Sequence, residues 1–115
     1  MSEEARVALV TGASRGIGKA IAQALAAAGF TVVGTATSDG GAKGISEYLE
    51  AAGNPGCGMT LDVGDQDSVA AVVKAIGDQY APPTVLVNNA GITRDNILMR
   101  MKADEWDDVI STNLS

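Results

Sequence analysis

Short apolar runs alternate with longer stretches of helical spacing four times along the 115 residues. The first run, Val7-Ala8-Leu9-Val10, leads through Gly12, Gly16 and Gly18 into an alanine-rich stretch over residues 19–28. There Ile17, Ile21, Leu25 and Ala28 recur on one helical face, and Gly29 sits where a helix-ending glycine belongs. Residues 30–36 are rich in β-branched side chains, as suits a buried parallel strand. A loop at Ser38-Asp39-Gly40-Gly41 precedes a second helix ending near Ala52, with Ile45, Leu49 and Ala52 inward. Gly53 stops it, and Asn54-Pro55-Gly56 makes a turn. Residues 59–63 form the third strand. Asp65 or Asp67 is placed to cap a third helix carrying Val69, Val72, Val73, Ile76 and Tyr80, which Pro82-Pro83 ends. Residues 84–87 form the fourth strand, and residues 92–101 are less regular. A last helix starts near Ala103, with Trp106, Val109, Ile110 and Asn113 on one side, and it looks cut rather than finished at Ser115.

Strand and helix in alternation predict parallel βαβ units with right-handed crossovers. The expected product is an α/β, doubly wound parallel sheet of about four strands in the order 3-2-1-4, with helices on both faces. Where the order reverses, between the first and fourth strands, such sheets hold ligands beyond the carboxyl ends of their strands.

Composition narrows the function classes. Hydrophobic residues make up 46% and charged residues 19%, which fits one folded domain over residues 1–115. No apolar run approaches the ~18 residues of a membrane span. The acidic start, Met1-Ser2-Glu3-Glu4, lacks the order of a secretion signal, so a cytoplasmic location is expected. Cys57 is the only cysteine and there is no histidine, so neither an internal disulfide nor a zinc site is expected. A net charge of −6 argues against nucleic acid as a partner. An anionic nucleotide remains possible, because it would be held locally.

Local chemistry concentrates at the strand ends. The glycines of Thr11-Gly12-Ala13-Ser14-Arg15-Gly16-Ile17-Gly18 could serve only a turn. Between a strand and a helix, however, they suit a pyrophosphate on unpaired N–H groups at the positive end of the helix dipole. Gly12 permits the reversal, Gly16 a close approach, and Gly18 tight packing of helix on sheet. After the second strand, Ala36-Thr37-Ser38 stands where an acid would hold a ribose 2′-hydroxyl in NAD sites. Thr37 would not repel a 2′-phosphate, and Arg15 can grip one with two parallel hydrogen bonds, so NADP(H) is the expected cofactor. Asp62 and Val63 end the third strand; Asn89, Ala90 and Gly91 follow the fourth. Asp62 could equally be a turn residue, and Asn88 and Asn89 could bond loop backbone across the sheet.

The pattern Thr-Gly-x-x-x-Gly-x-Gly, followed by Asn88-Asn89-Ala90-Gly91, resembles the short-chain dehydrogenase/reductase family, whose fold is of the Rossmann type. The wider wording, including Gly34-Thr35-Ala36-Thr37-Ser38 and the run from Asn88 to Asn96, is most similar to the bacterial 3-oxoacyl-[acyl-carrier-protein] reductases. The resemblance starts near Arg6 and covers only the front half of such an enzyme. It implies NADPH-dependent reduction of a 3-oxoacyl-carrier-protein thioester in fatty acid biosynthesis by a homotetramer. It favours an adenine contact for Asp62 and a ribose contact for Asn89. It places Asn113, in Thr112-Asn113-Leu114, in a catalytic tetrad, where the asparagine holds a water; from its helical face alone Asn113 could equally be a core amide.

The family's proton donor is a tyrosine followed four residues later by lysine. Here Ala52 follows Tyr48 and Thr84 follows Tyr80 at that spacing, so the 115 residues alone are expected to be inactive. An uncovered fourth strand would favour aggregation or a partner. Arg94, Arg100 and Lys102 are either solvated surface or a dock for an acidic carrier protein. Leu98, Met99 and Met101 could line an acyl or subunit surface or fill core. A non-catalytic nucleotide sensor, a reductase of another carbonyl, and a methyltransferase are the competing readings; the second signature and the missing acid disfavour the last.

Overall fold

The computed structural model describes residues 6–62 and 64–89 and the backbone of 97–100. Its elements run β1 (Val7–Thr11), α1 (Gly16–Ala27), β2 (Thr31–Ala36), α2 (Asp39–Ala51), β3 (Cys57–Thr60), α3 (Gln66–Gln79), β4 (Val85–Asn88) and β5 (Ile97–Arg100). They form one sheet in the order β3-β2-β1-β4-β5. The first four strands are parallel, so the expected 3-2-1-4 order holds.

Successive residues of β1 point to opposite faces, and both faces are buried. Val7 and Leu9 join Val33, Leu61 and Leu86 under Val69, Val72 and Ile76 of α3. Ala8 and Val10 join Val32, Val85 and Val87 under Ala22 of α1 and Ile45 and Leu49 of α2. This two-sided burial explains why the strands read as continuous apolar runs rather than as alternating ones.

Helix ends follow local chemistry. At the end of α1, Gly29 takes φ 99°. Its N–H reaches the Ala26 carbonyl at 3.1 Å, and the Phe30 N–H reaches the Leu25 carbonyl at 3.1 Å, closing the last turn. Gly53, at φ 76°, ends α2 in the same way. The Ser38 hydroxyl caps α2 by accepting from the Gly41 N–H at 3.1 Å. Asp65, rather than Asp67, caps α3, accepting from the N–H groups of Asp67 at 2.9 Å and Ser68 at 3.4 Å.

Several expectations need correction: α2 starts at Asp39, inside the stretch expected as a loop, because the Ser38 hydroxyl caps it there, and β3 ends at Thr60 rather than at residue 63. β3 starts two residues earlier than the apolar run suggested, because Cys57 and Gly58 pair with Val33 and Gly34. The buried stripe of α1 is Gly18 and Ala22, with Ile21 and Leu25 half-buried, while Ile17 is 65% exposed and Ala28 is exposed. Small residues let this helix lie close to the sheet, which rotates Ile17 outward. Ala52 is likewise exposed, at the C-cap of α2. Finally, the stretch after the fourth strand contains β5, which pairs antiparallel with β4 from Val85↔Arg100 to Asn88↔Ile97. β4 is therefore not an open edge, and the aggregation argument built on that edge falls. The run Ile97-Leu98-Met99 carries one β-branched residue among helix formers, so its composition gave no strand signal. The helix expected from Ala103 lies outside the described residues.

Candidate functional site

Parallel pairing brings the carboxyl ends of β1 to β4 to one edge of the sheet. Thr11 lies beside Asn88, and Ala36 beside Thr60. The chain reverses its direction across the sheet between β1 and β4, and the glycine loop emerges there.

That loop has a fixed inner part and an open outer part. Gly12 and Gly16 take φ 64° and 65°, conformations costly for other residues. The Gly12 carbonyl accepts from Asn89 Nδ2 at 3.0 Å. The Ala13 N–H donates to the Thr35 carbonyl at 2.8 Å, and the Ala13 carbonyl accepts from the Tyr48 hydroxyl at 2.6 Å. Ala13 is fully buried. A Cβ on Gly18 would collide with the Gly12 carbonyl oxygen and would stand 2.6 Å from Asn89 Nδ2. Helix, loop and β4 exit are thus locked together at one point that only glycine fits.

From Ser14 through Ile17 the chain is exposed. α1 starts there without a side-chain cap: Arg15 holds the N-cap position in extended backbone, and the first turn carries no acid. α2 and α3 both use a side chain at this place. The first turn of α1 therefore presents N–H groups and a positive dipole end directly after the exposed Arg15, an arrangement suited to an anion. By contrast, the shallow depression lined by Gly64, Asp65, Gln66 and Asp67 is acidic, and the Asp65 carboxylate already takes the donors of α3.

The other expected residues divide into those brought to this edge and those beyond description. Thr37 follows β2 and is exposed. Asp62 follows β3 and is exposed; its Oδ1 accepts from the Gly64 N–H at 3.0 Å, a local turn, and its N–H donates to the Ser68 hydroxyl at 3.1 Å. Asn89 serves the loop backbone across the sheet. Asn88 is buried, and the Thr11 hydroxyl donates to its Oδ1 at 3.2 Å. Val63, Ala90, Gly91, Arg94, Met101, Lys102 and Asn113 lie outside the described residues, as do the side chains of Leu98, Met99 and Arg100.

Tyr48 was missed as a loop contact. It stands 35 residues from Ala13, and no spacing rule links a helix tyrosine to a loop carbonyl across that distance. Both tyrosines are shifted away from proton donation near neutral pH. Burial pushes Tyr48 up to about 12. Burial, then a hydrogen bond and charge from Cys57, push Tyr80 up to about 12. Among the described residues, no helix is long and apolar enough to cross a membrane.

Comparison with known proteins agrees with this geometry. A family model described as short chain dehydrogenase matches residues 6–115. The 3-oxoacyl-[acyl-carrier-protein] reductase FabG of Vibrio cholerae is 59% identical over 115 residues, covering 100% of this chain and 46% of that protein. The proteins of the same name from Escherichia coli and Pseudomonas aeruginosa are each 56% identical over the whole chain, which covers 46% and 47% of them. The chain spans about half the length of the curated relatives it matches. With a parallel 3-2-1-4 core, a glycine loop at the switch between β1 and β4, and a family match over nearly all its residues, the chain belongs to the short-chain dehydrogenase family of oxidoreductases.

Proposed function

We propose that these residues form the cofactor-binding half of an NADPH-dependent 3-oxoacyl-[acyl-carrier-protein] reductase of fatty acid biosynthesis. The observation that carries the reading is the uncapped, acid-free start of α1 behind a glycine loop whose inner peptides are fixed by three other elements. The substrate class comes from the 3-oxoacyl-[acyl-carrier-protein] reductases that the chain is similar to.

The residues fit a dinucleotide. Gly12, Ser14, Gly16, Ile17 and Gly18 would cradle its pyrophosphate on main-chain N–H groups. Arg15 would pair with the 2′-phosphate, and the absence of an acid at Thr37 leaves that phosphate unopposed. Asp62 and Val63 would meet the adenine, and Asn89, Ala90 and Gly91 the nearer ribose and nicotinamide. When bound, NADPH supplies the hydride. Asn113 would hold a water for proton relay.

The proton donor is a separate matter. A tyrosine acting as general acid near neutral pH needs a lowered pKa. Tyr48 and Tyr80 are shifted the other way and lack a lysine partner at the family spacing, so the 115 residues alone do not reduce the thioester. The whole enzyme is proposed to be a cytoplasmic homotetramer that receives its substrate on acyl-carrier protein.

A chimera tests this. These 115 residues replace the matching stretch of the Escherichia coli reductase, and NADPH oxidation is followed with a 3-oxoacyl-carrier-protein thioester. Activity in the chimera and none in the isolated chain is the expected outcome. Turnover by the isolated chain, or a folded chimera that binds no NADPH, would contradict the proposal.

A further inference from the structure

Tyr48 sits on α2, where it joins two pieces of the site. Its hydroxyl donates to the Ala13 carbonyl at 2.6 Å. Its ring lies 5.2 Å from the Lys19 ammonium on the first turns of α1. The Ala13 N–H is meanwhile held by the Thr35 carbonyl at 2.8 Å. Both main-chain groups of Ala13 are thus committed, one to β2 and one to α2, directly before the exposed stretch from Ser14 to Ile17. An isolated buried carbonyl would be costly, and a loop free to rotate at Ala13 would have to be ordered when an anion binds.

We infer that Tyr48 is a positioning residue for the nucleotide loop. By fixing the Ala13 carbonyl it sets the direction in which the following N–H groups face the pyrophosphate of a dinucleotide. It touches no reacting atom and acts through the main chain alone. Burial keeps its hydroxyl protonated, hence a donor, across the neutral and mildly alkaline range. The inference deepens the cofactor assignment above and rests on it for the identity of the ligand, but the ordering of the loop can be measured without any ligand.

The test is Tyr48→Phe in the purified 115-residue chain, which keeps the ring and its lysine contact and removes only the donor. NADPH and NADH are each titrated by nucleotide fluorescence, and hydrogen exchange of the buried Ala13 amide, which donates to the Thr35 carbonyl, is followed without nucleotide. Loss of one hydrogen bond from a preorganised loop predicts a Kd about 5-fold higher for both nucleotides, their ratio unchanged, and exchange faster by about the same factor. A hydroxyl that served only the fold would lower the melting temperature and leave the Kd of the folded protein as it was. Unchanged Kd and exchange, weakening of NADPH alone, or a variant that fails to fold would each overturn the inference. If the parent chain binds neither nucleotide, the cofactor assignment fails, and the exchange comparison still decides whether Tyr48 orders the loop.

Discussion

Gly18→Ala puts the packing of α1 on the sheet to a quantitative test. In an open helix position this change stabilises, by about 1 kcal/mol, because alanine loses less backbone entropy. Gly44 in α2 and Gly77 in α3 are such positions, with nothing within 4 Å of an added Cβ. At Gly18 the new methyl meets the Gly12 carbonyl oxygen and stands 2.6 Å from Asn89 Nδ2. The backbone must move, at about 1–3 kcal/mol for overpacking. The 3.0 Å bond from Asn89 to Gly12 is strained or lost, at about 0.5–1.5 kcal/mol. Set against the helix gain, the net effect is a destabilisation of about 0.5–3.5 kcal/mol. Gly44→Ala and Gly77→Ala should shift stability the other way by up to about 1 kcal/mol. Urea unfolding followed by circular dichroism measures all three, with unchanged slopes as the check on two-state behaviour. A Gly18→Ala chain as stable as the parent would mean that α1 does not touch the loop as described, and the locked junction would have to be abandoned.

Other outcomes follow from the same structure. Thr37→Asp introduces a charge that repels a 2′-phosphate, and the ratio of NADPH to NADH affinity should fall about tenfold or more; unaltered relative affinities in paired titrations would remove the argument for NADP(H). Asn54→Ala removes three bonds, from the N–H groups of Val32 (3.1 Å) and Gly56 (2.9 Å) and to the Phe30 carbonyl (2.7 Å), and should cost about 2–3 kcal/mol in urea midpoints. Tyr48 and Tyr80 have folded pKa values of about 12 against 10.0, so their contribution is complete below pH 10. It drains as the unfolded chain ionises between pH 10 and 12, and the alkaline fall in melting temperature should be shallower in Tyr48→Phe.

Much of this architecture was legible in the residues. Continuous apolar runs marked strands buried on both faces, and Gly29 and Gly53 announced helix ends that take positive φ. The strand-end residues Thr37, Asp62 and Asn89 were placed at one edge because parallel strands share a direction. What escaped had non-local or ambiguous causes. β5 exists because β4 needs a partner, which its leucine and methionine do not advertise. Ile17 keeps helical spacing with Ile21 but faces solvent, since the approach of α1 is set by Gly18 and Ala22. Tyr48 has alanine rather than lysine four residues on, and its contact lies far back along the chain, at Ala13. Asn54 read as a turn residue, yet its amide ties the α2–β3 connection to the start of β2.

The central claim is that a dinucleotide rests on the opening turn of α1 at the switch between β1 and β4. Amide chemical shifts of the ¹⁵N-labelled chain during an NADPH titration test it directly. The account predicts saturable shifts that are largest at residues 12–18 and extend to Thr37, Asp62 and Asn89. No saturable change there, or shifts centred on residues 64–67 at the start of α3, would contradict it.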